Sequence, residues 1–217
     1  VAKRKKLVWE IDKKIQEDVA RRDSIALDID AWLQEAAATL PQGFGHVELL
    51  YDFRDGGEAD GWLHAIGRYR LRTSGHTADT SFGAHIYNTP IVYRDEPQSY
   101  TGAPPGLSTR LFLRLAEAPG DTICHLIYPA SLPWAARSST ELNLFDAAGR
   151  QQASRKVAIA CGGSYHWRYK ATFTPTARPA AGAGAYVQVR DTTCRLFGFH
   201  GLAHNDDAFC LDHMFGF

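Results

Sequence analysis

The chain has 217 residues, 45% apolar and 22% charged, and its 24 lysines and arginines are balanced by 24 aspartates and glutamates. That length holds one β domain with room for a helical appendage, and the composition is that of a globular protein rather than a disordered or fibrous one. A formal net charge of zero excludes the global basic field with which nucleic-acid-binding proteins gather phosphate, so no nucleic-acid partner is expected.

The first residues, Ala2-Lys-Arg-Lys-Lys-Leu-Val-Trp9, form a short basic tip that reads as a solvated terminus. No window approaches the roughly 18 apolar residues of a membrane span, and no apolar stretch with a cleavage site follows the tip. A cytoplasmic location is therefore expected, although a mature exported form would show the same pattern.

Beyond the tip, Ile15, Val19, Ile29, Trp32, Leu33, Ala36 and Leu40 recur at helical steps among charged residues. Asp30 is the expected N-cap of a helix from Ala31 to Leu40, stopped by Pro41 and Gly43. Residues 1–43 therefore read as an N-terminal helical arm and 44–217 as a β domain. One apolar stripe must cover something, either the β body or a second subunit, so a homo-oligomer through this helix is one expectation.

From Gly45 the period changes to two. His46 to Phe53, Trp62 to Leu71, Ser81 to Asn88, Thr109 to Leu115, Thr122 to Tyr128, Thr140 to Phe145, Arg155 to Ala160, Ser164 to Phe173, Ala185 to Arg190, Cys194 to His200 and Ala208 to Met214 are the expected strands. In the fourth, Leu111, Leu113 and Leu115 alternate with Arg110, Phe112 and Arg114. Asp55-Gly56-Gly57, Ser74-Gly75, Pro119-Gly120, Ala148-Gly149 and Gly162-Gly163 supply the turns. About ten short strands at this spacing predict a mainly β chain, an antiparallel β-sandwich of jelly-roll or immunoglobulin-like form. Thr89 to Leu107, rich in proline, and Thr174 to Gly184 are expected loops, the first a candidate lid or rim. Cys124, Cys161, Cys194 and Cys210 lie far apart without a Cys-x-x-Cys pair, which predicts free thiols.

Three groups have residues suited to chemistry. In Tyr165-His-Trp-Arg-Tyr-Lys170, period two puts Tyr165, Trp167 and Tyr169 on one face and His166, Arg168 and Lys170 on the other. The aromatics suit either a ligand-stacking row or a core, and Arg168 would serve the basic side of a binding surface. His64 and His85, with Arg68 and Arg70, would make an anion patch if their strands pair in register. The segment His200 to Phe217 gathers His200, His204, Asp206, Asp207, Asp212, His213 and Cys210. A 2-His-1-carboxylate set drawn from His200, His204, Asp206, Asp207 and His213 would suit a divalent transition metal, whereas Asn205-Asp206-Asp207 is also ordinary turn chemistry. Asp212 and His213, as neighbours on a strand, point to opposite faces.

No Gly-x-Ser-x-Gly elbow, local Cys/His signature or P-loop occurs. The chain therefore reads as a non-catalytic binding or accessory protein that meets a small ligand or a protein partner through an aromatic and basic surface, with no cofactor expected. The rival reading is a metal-dependent jelly-roll enzyme using the C-terminal histidines.

Overall fold

The computed structural model describes residues 13–16, 19–20, 22–37, 43–49, 60–87, 109–129, 135–178 and 182–214. The chain divides into two units, Val1–Gly45 and His46–Phe217. In the first, helix α1 spans Ile29–Glu35, capped by Asp28, whose Oδ1 accepts from Ala31 N at 2.9 Å. The expected cap was Asp30. Two aspartates two residues apart offer the same acceptor, and the apolar period does not choose between them. The helix also ends earlier than Leu40, with Ala37 in the left-handed region at φ 47°. Lys13 Nζ lies 3.1 Å from Glu35 Oε2 and 4.9 Å from the centroid of the Trp32 ring. No residue of α1 is buried, and Ile15, Val19 and Ile25 are exposed.

The described strands of the second unit are β1 (Asp60–Arg70), β2 (Thr77–Tyr87), β3 (Thr109–Arg114), β4 (Asp121–Tyr128), β5 (Thr140–Phe145), β6 (Gln151–Val157), β7 (Gly163–Arg168), β8 (Tyr186–Asp191), β9 (Phe197–His204), β10 (Ala208–Phe209) and β11 (Asp212–Met214); a short helix α2 (Tyr169–Thr172) follows β7. The β1–β2 hairpin stands as a two-stranded sheet. A second sheet has the order β3-β8-β5-β6, and a third runs β10-β9-β4-β7 with β11 also on β9. Every pairing is antiparallel.

Alternation explains the core. In the second sheet, the register aligns Leu111 with Val189 and Leu142, and Leu113 with Val187 and Leu144; all six side chains are buried. The third sheet supplies Cys124, Leu126, Tyr128, Trp167 and Met214 to the same core cluster. At Gly198 the two sheets pack tightly: a Cβ there would lie 3.0 Å from Leu111 Cδ1 of the facing sheet and would collide with the Met214 methyl. The mainly β chain with antiparallel sheets packed on one core is thus the expected architecture. Cys124, Cys194 and Cys210 are free thiols, and the Cys161 thiol donates to Pro129 O at 3.6 Å.

The last strand is broken in two. β10 pairs with β9 at Ala208–His204 and β11 pairs at Asp212–His200, and between them Cys210 N donates to Leu202 O at 2.9 Å. The bulge pushes the Cys210 carbonyl onto β9, at a position that only a glycine, Gly201, accommodates. The tip of the β1–β2 hairpin is fixed to the turn that precedes this strand. Thr73 Oγ1 donates to Asp206 O at 3.2 Å, Ser74 Oγ to Asp207 O at 2.7 Å, and His76 Nε2 to Phe209 O at 2.8 Å.

Two carboxylates pin the ends of the second sheet. Asp191, fully buried, accepts from Thr140 Oγ1 (2.7 Å), Thr193 N (2.6 Å), Thr193 Oγ1 (2.7 Å) and Cys194 N (3.1 Å). Asp146, at the β5–β6 turn, accepts from Ala148 N, Arg150 N and Arg150 Nε, and from Gln152 Nε2. The hydrogen bond from the Arg150 backbone, then the Arg150 side chain and Ala148 N, hold its pKa below the usual carboxylate value, against the opposing effect of desolvation. A depressed folded pKa contributes stability that is present above the unfolded value, about 4, and is lost as pH falls through the folded one. Asp146→Asn is therefore expected to flatten the acid limb of a stability-versus-pH curve measured by urea unfolding, with an unchanged acid limb as the contrary result.

Other expectations shift. Residues 46–49 carry no strand, and 50–53 lie outside the described residues, as does the candidate lid at 89–107. The strand expected at Arg155 to Ala160 begins earlier, at Gln151, because on this edge strand only Ala153 and Val157 pack on the core, with exposed Arg155 between them, and the burial pattern shows no regular alternation to read. The strand through Tyr165 stops at Arg168, where α2 begins.

Candidate ligand-binding face

The expected aromatic row of β7 packs inward. Trp167 is 3% exposed, with its ring 6.4 Å from Phe173, and Tyr165 packs on the same core. Tyr169 is buried too, but as the first residue of α2 rather than as a strand residue, with its ring 5.7 Å from Phe173. Arg168 faces solvent, as does Lys170 in α2. A sandwich needs large inward side chains, and this strand uses its aromatics for that purpose.

Nor does the C-terminal segment converge. His200 pairs with Asp212 and His213 with Phe199, so the pleat puts His200 and His213 on opposite faces of the sheet. His200 shares its face with Cys124 and Trp167, and its Nδ1 is buried without a hydrogen-bond partner among the described residues. The His213 ring lies 5.2 Å from Phe199 and 6.2 Å from Phe82. Burial lowers the pKa of both histidines, with Asp212 opposing it in each case. His204, Asp206 and Asp207 are exposed, and Asn205, at φ 49°, makes the turn that carries the two aspartates. Among the described residues no group of three His, Cys, Asp or Glu side chains is placed to hold a metal ion.

His125, which sequence did not single out, joins this picture together with His166. His125 stands opposite both His166 and Phe199, so His166, His125, Phe199 and His213 form one row across four strands. The rings of His125 and His166 are 5.9 Å apart. Burial lowers the His166 pKa and the Arg168 charge adds to the effect. On the first hairpin, Trp62 is the cross-strand partner of His85, and Gly83 that of His64, so the two histidines are not opposite each other. Arg68 is instead held by Asp79, with two hydrogen bonds of 2.9 Å.

The outer face of the β3-β8-β5-β6 sheet is different in kind. Because Leu111 and Leu113 serve the core, β3 presents Arg110, Phe112 and Arg114 to solvent. Register extends these into three rows. Arg110 lies opposite Arg190, then Glu141, then Lys156; Phe112 opposite Gln188, Asn143 and Ser154; Arg114 opposite Tyr186, Phe145 and Gln151. Phe112 is 45% exposed. The rings of Phe145 and Tyr186 stack on each other at 5.3 Å and 14°, and Phe112 tilts toward Tyr186 at 6.1 Å.

The charges on this face are not balanced. Glu141 faces Lys156, with Oε1 3.9 Å from Nζ. Among the described residues Arg110, Arg114 and Arg190 make no ion pair or hydrogen bond through their side chains. Like charges placed directly opposite on neighbouring strands are destabilising, an effect that Glu141, opposite Arg190 on its other side, offsets in part. The alternation of Arg110, Phe112 and Arg114 with leucines is visible in the sequence; that Arg190 stands beside Arg110 is set by a register between strands far apart in the chain.

Among the described residues no helix is long and apolar enough to cross a membrane. No family model, curated protein or solved structure matches this chain.

Proposed function

We propose that the protein is a non-catalytic binding module and that its recognition surface is the outer face of the β3-β8-β5-β6 sheet. The reading keeps the aromatic and basic character expected from sequence and moves it from β7 to Phe112, Tyr186 and Phe145 with Arg110, Arg114 and Arg190. The observation that carries it is the direct opposition of Arg110 and Arg190, neither of which makes an ion pair or side-chain hydrogen bond among the described residues, the neighbouring Glu141 being turned to Lys156. Arginines at directly opposite positions can bring two planar guanidiniums to one anionic group, each offering it two parallel hydrogen bonds. The ligand is therefore anionic, and an exposed ring beside the arginines gives it an apolar contact.

Strand order supports a jelly-roll form of sandwich as the scaffold. After β3, the connections β5–β6, β9–β10 and β10–β11 stay within a sheet, and the others pass to the opposite one. A face built on rigid strands holds its side chains in fixed spacing, which suits recognition of an extended ligand.

The test is titration of the protein with polygalacturonate, poly-L-glutamate and single-stranded oligothymidylate at low salt, by calorimetry. At least one is expected to bind, with affinity falling as salt rises. The double variant Arg110→Gln/Arg190→Gln is expected to bind about tenfold or more weakly, since a hydrogen bond to a charged group contributes about 1.5–3 kcal/mol. Its melting temperature should hold or rise, because a repulsion is removed. Absence of binding by every polyanion, or equal binding by the variant, would remove this face from the assignment.

A further inference from the structure

We infer that the anionic ligand of this face is a carboxylated polysaccharide, a chain of uronic acid residues, with one sugar ring lying on Phe112. This rests on the binding face proposed above and goes further by naming the chemistry of the occupant.

The arrangement around Phe112 is the reason. Along β3 it has Arg110 on one side and Arg114 on the other, two residues away in each direction. At about 3.4 Å per strand residue, each arginine Cα stands roughly 7 Å from that of Phe112, within reach of a long side chain bending back over the ring. Across the strand pair, Phe112 faces Gln188, whose side chain makes no hydrogen bond among the described residues. One exposed aromatic ring therefore has cations at both ends and an amide beside it. A uronic acid joins three matching features in one rigid ring: a face of C–H groups, a carboxylate fixed at one end, and hydroxyls around the edge. The ring lies on Phe112, the carboxylate reaches the Arg110–Arg190 pair, and the hydroxyls exchange hydrogen bonds with Gln188, which has both a donor and an acceptor.

The same observations disfavour the other polyanions. An acidic peptide presents its carboxylates on flexible stems without an adjoining flat apolar face, and so leaves Phe112 unused. Single-stranded nucleic acid is bound by successive bases on successive aromatic rings along a broad basic track. Here Phe145 and Tyr186 stack on each other at 5.3 Å, which leaves Phe112 as the ring open for stacking, and the formal charge of the whole chain is zero.

The experiment uses the full chain with polygalacturonate, alginate and hyaluronate as probes, each in its free-acid salt form and as its methyl ester, beside poly-L-glutamate and oligothymidylate. Binding is expected for at least one uronate polymer and is expected to disappear on esterification. Phe112→Ala should weaken that binding about tenfold, in the range found for aromatic stacking contacts, whereas Phe112→Trp should preserve it. Gln188→Leu should weaken it with the melting temperature kept. If poly-L-glutamate or oligothymidylate binds in an Arg110- and Arg190-dependent way and no uronate polymer does, the polysaccharide assignment falls and the binding face stands. If the methyl esters bind as well as the acids, the role of the arginines in carboxylate recognition is refuted. If no polyanion binds, both fall.

Discussion

Gly201→Ala is expected to be the most damaging single-methyl change in the described β body, costing about 3 kcal/mol. The added Cβ would overlap the Cys210 carbonyl and approach Leu211 Cδ2 at 3.0 Å. A backbone carbonyl on the partner strand cannot rotate away as a side chain can, so either β9 and the bulge separate or the Cys210–Leu202 hydrogen bond is lost. Urea unfolding of the variant should show a lower midpoint at unchanged slope. Two comparisons isolate the cause. Cys210→Ser changes an exposed side chain and should stay within about 0.5 kcal/mol of the parent. Gly198→Ala also collides, but with the methyl end of Met214, and should be partly rescued by Met214→Ala. A Gly201→Ala variant as stable as the parent would show that the bulge yields freely, contrary to the packing described.

The second large effect is expected at Asp191. Removing its carboxylate with Asp191→Ala strands the Thr193 and Cys194 amides and the Thr193 and Thr140 hydroxyls at once, and should cost about 3 kcal/mol or more. The relay behind it has a direction. Thr140 Oγ1 donates to Asp191 Oδ2, so Ser138 Oγ, 2.8 Å away, donates to Thr140 and in turn accepts from Ile159 N at 2.9 Å. Asp191→Asn keeps an acceptor for Thr193 and Cys194 but offers an N–H toward Thr140, which reverses part of the relay and leaves the Ser138 hydroxyl seeking an acceptor. The asparagine variant should therefore lose roughly half as much stability as the alanine variant. Equal losses would mean that the relay carries no directional information and that the charge alone matters.

Strands buried on one face were legible because their pattern repeats every two residues. Leu111 and Leu113 marked β3, Cys124, Leu126 and Tyr128 marked β4, and Val187 and Val189 marked β8, each within a residue or so of its observed bounds. Where burial is one-sided and regular, the constraint is local and composition reports it. It was not legible at β6, an edge strand that packs only Ala153 and Val157 on the core, or at Tyr169, where the aromatic alternation continues while the backbone turns into α2. The candidate face was half visible. A phenylalanine between two arginines on the solvent side of β3 was readable, but the neighbours Arg190 and Gln188 come from a strand more than seventy residues away, and only the register supplies them. The C-terminal histidines mislead for a related reason: closeness along the chain suggested convergence, and the pleat sends His200 and His213 apart.

Strand order also has a consequence for how the protein is made. β8 is the inner strand that joins β3 to β5, and β9 joins β4 to β10 and β11. During vectorial synthesis, Leu111, Leu113, Leu126, Leu142 and Leu144 emerge from the ribosome well before residues 186–204, and until those arrive neither sheet can close over them. At about 5–20 residues per second that interval lasts for seconds. The nascent chain passes through it with an unpaired β3 edge and an open apolar surface, the kind of species that holdase chaperones shield. A ribosome-stalled chain ending at residue 180 should therefore be digested by protease throughout its β segments, and one extended past residue 214 and clear of the exit tunnel should resist.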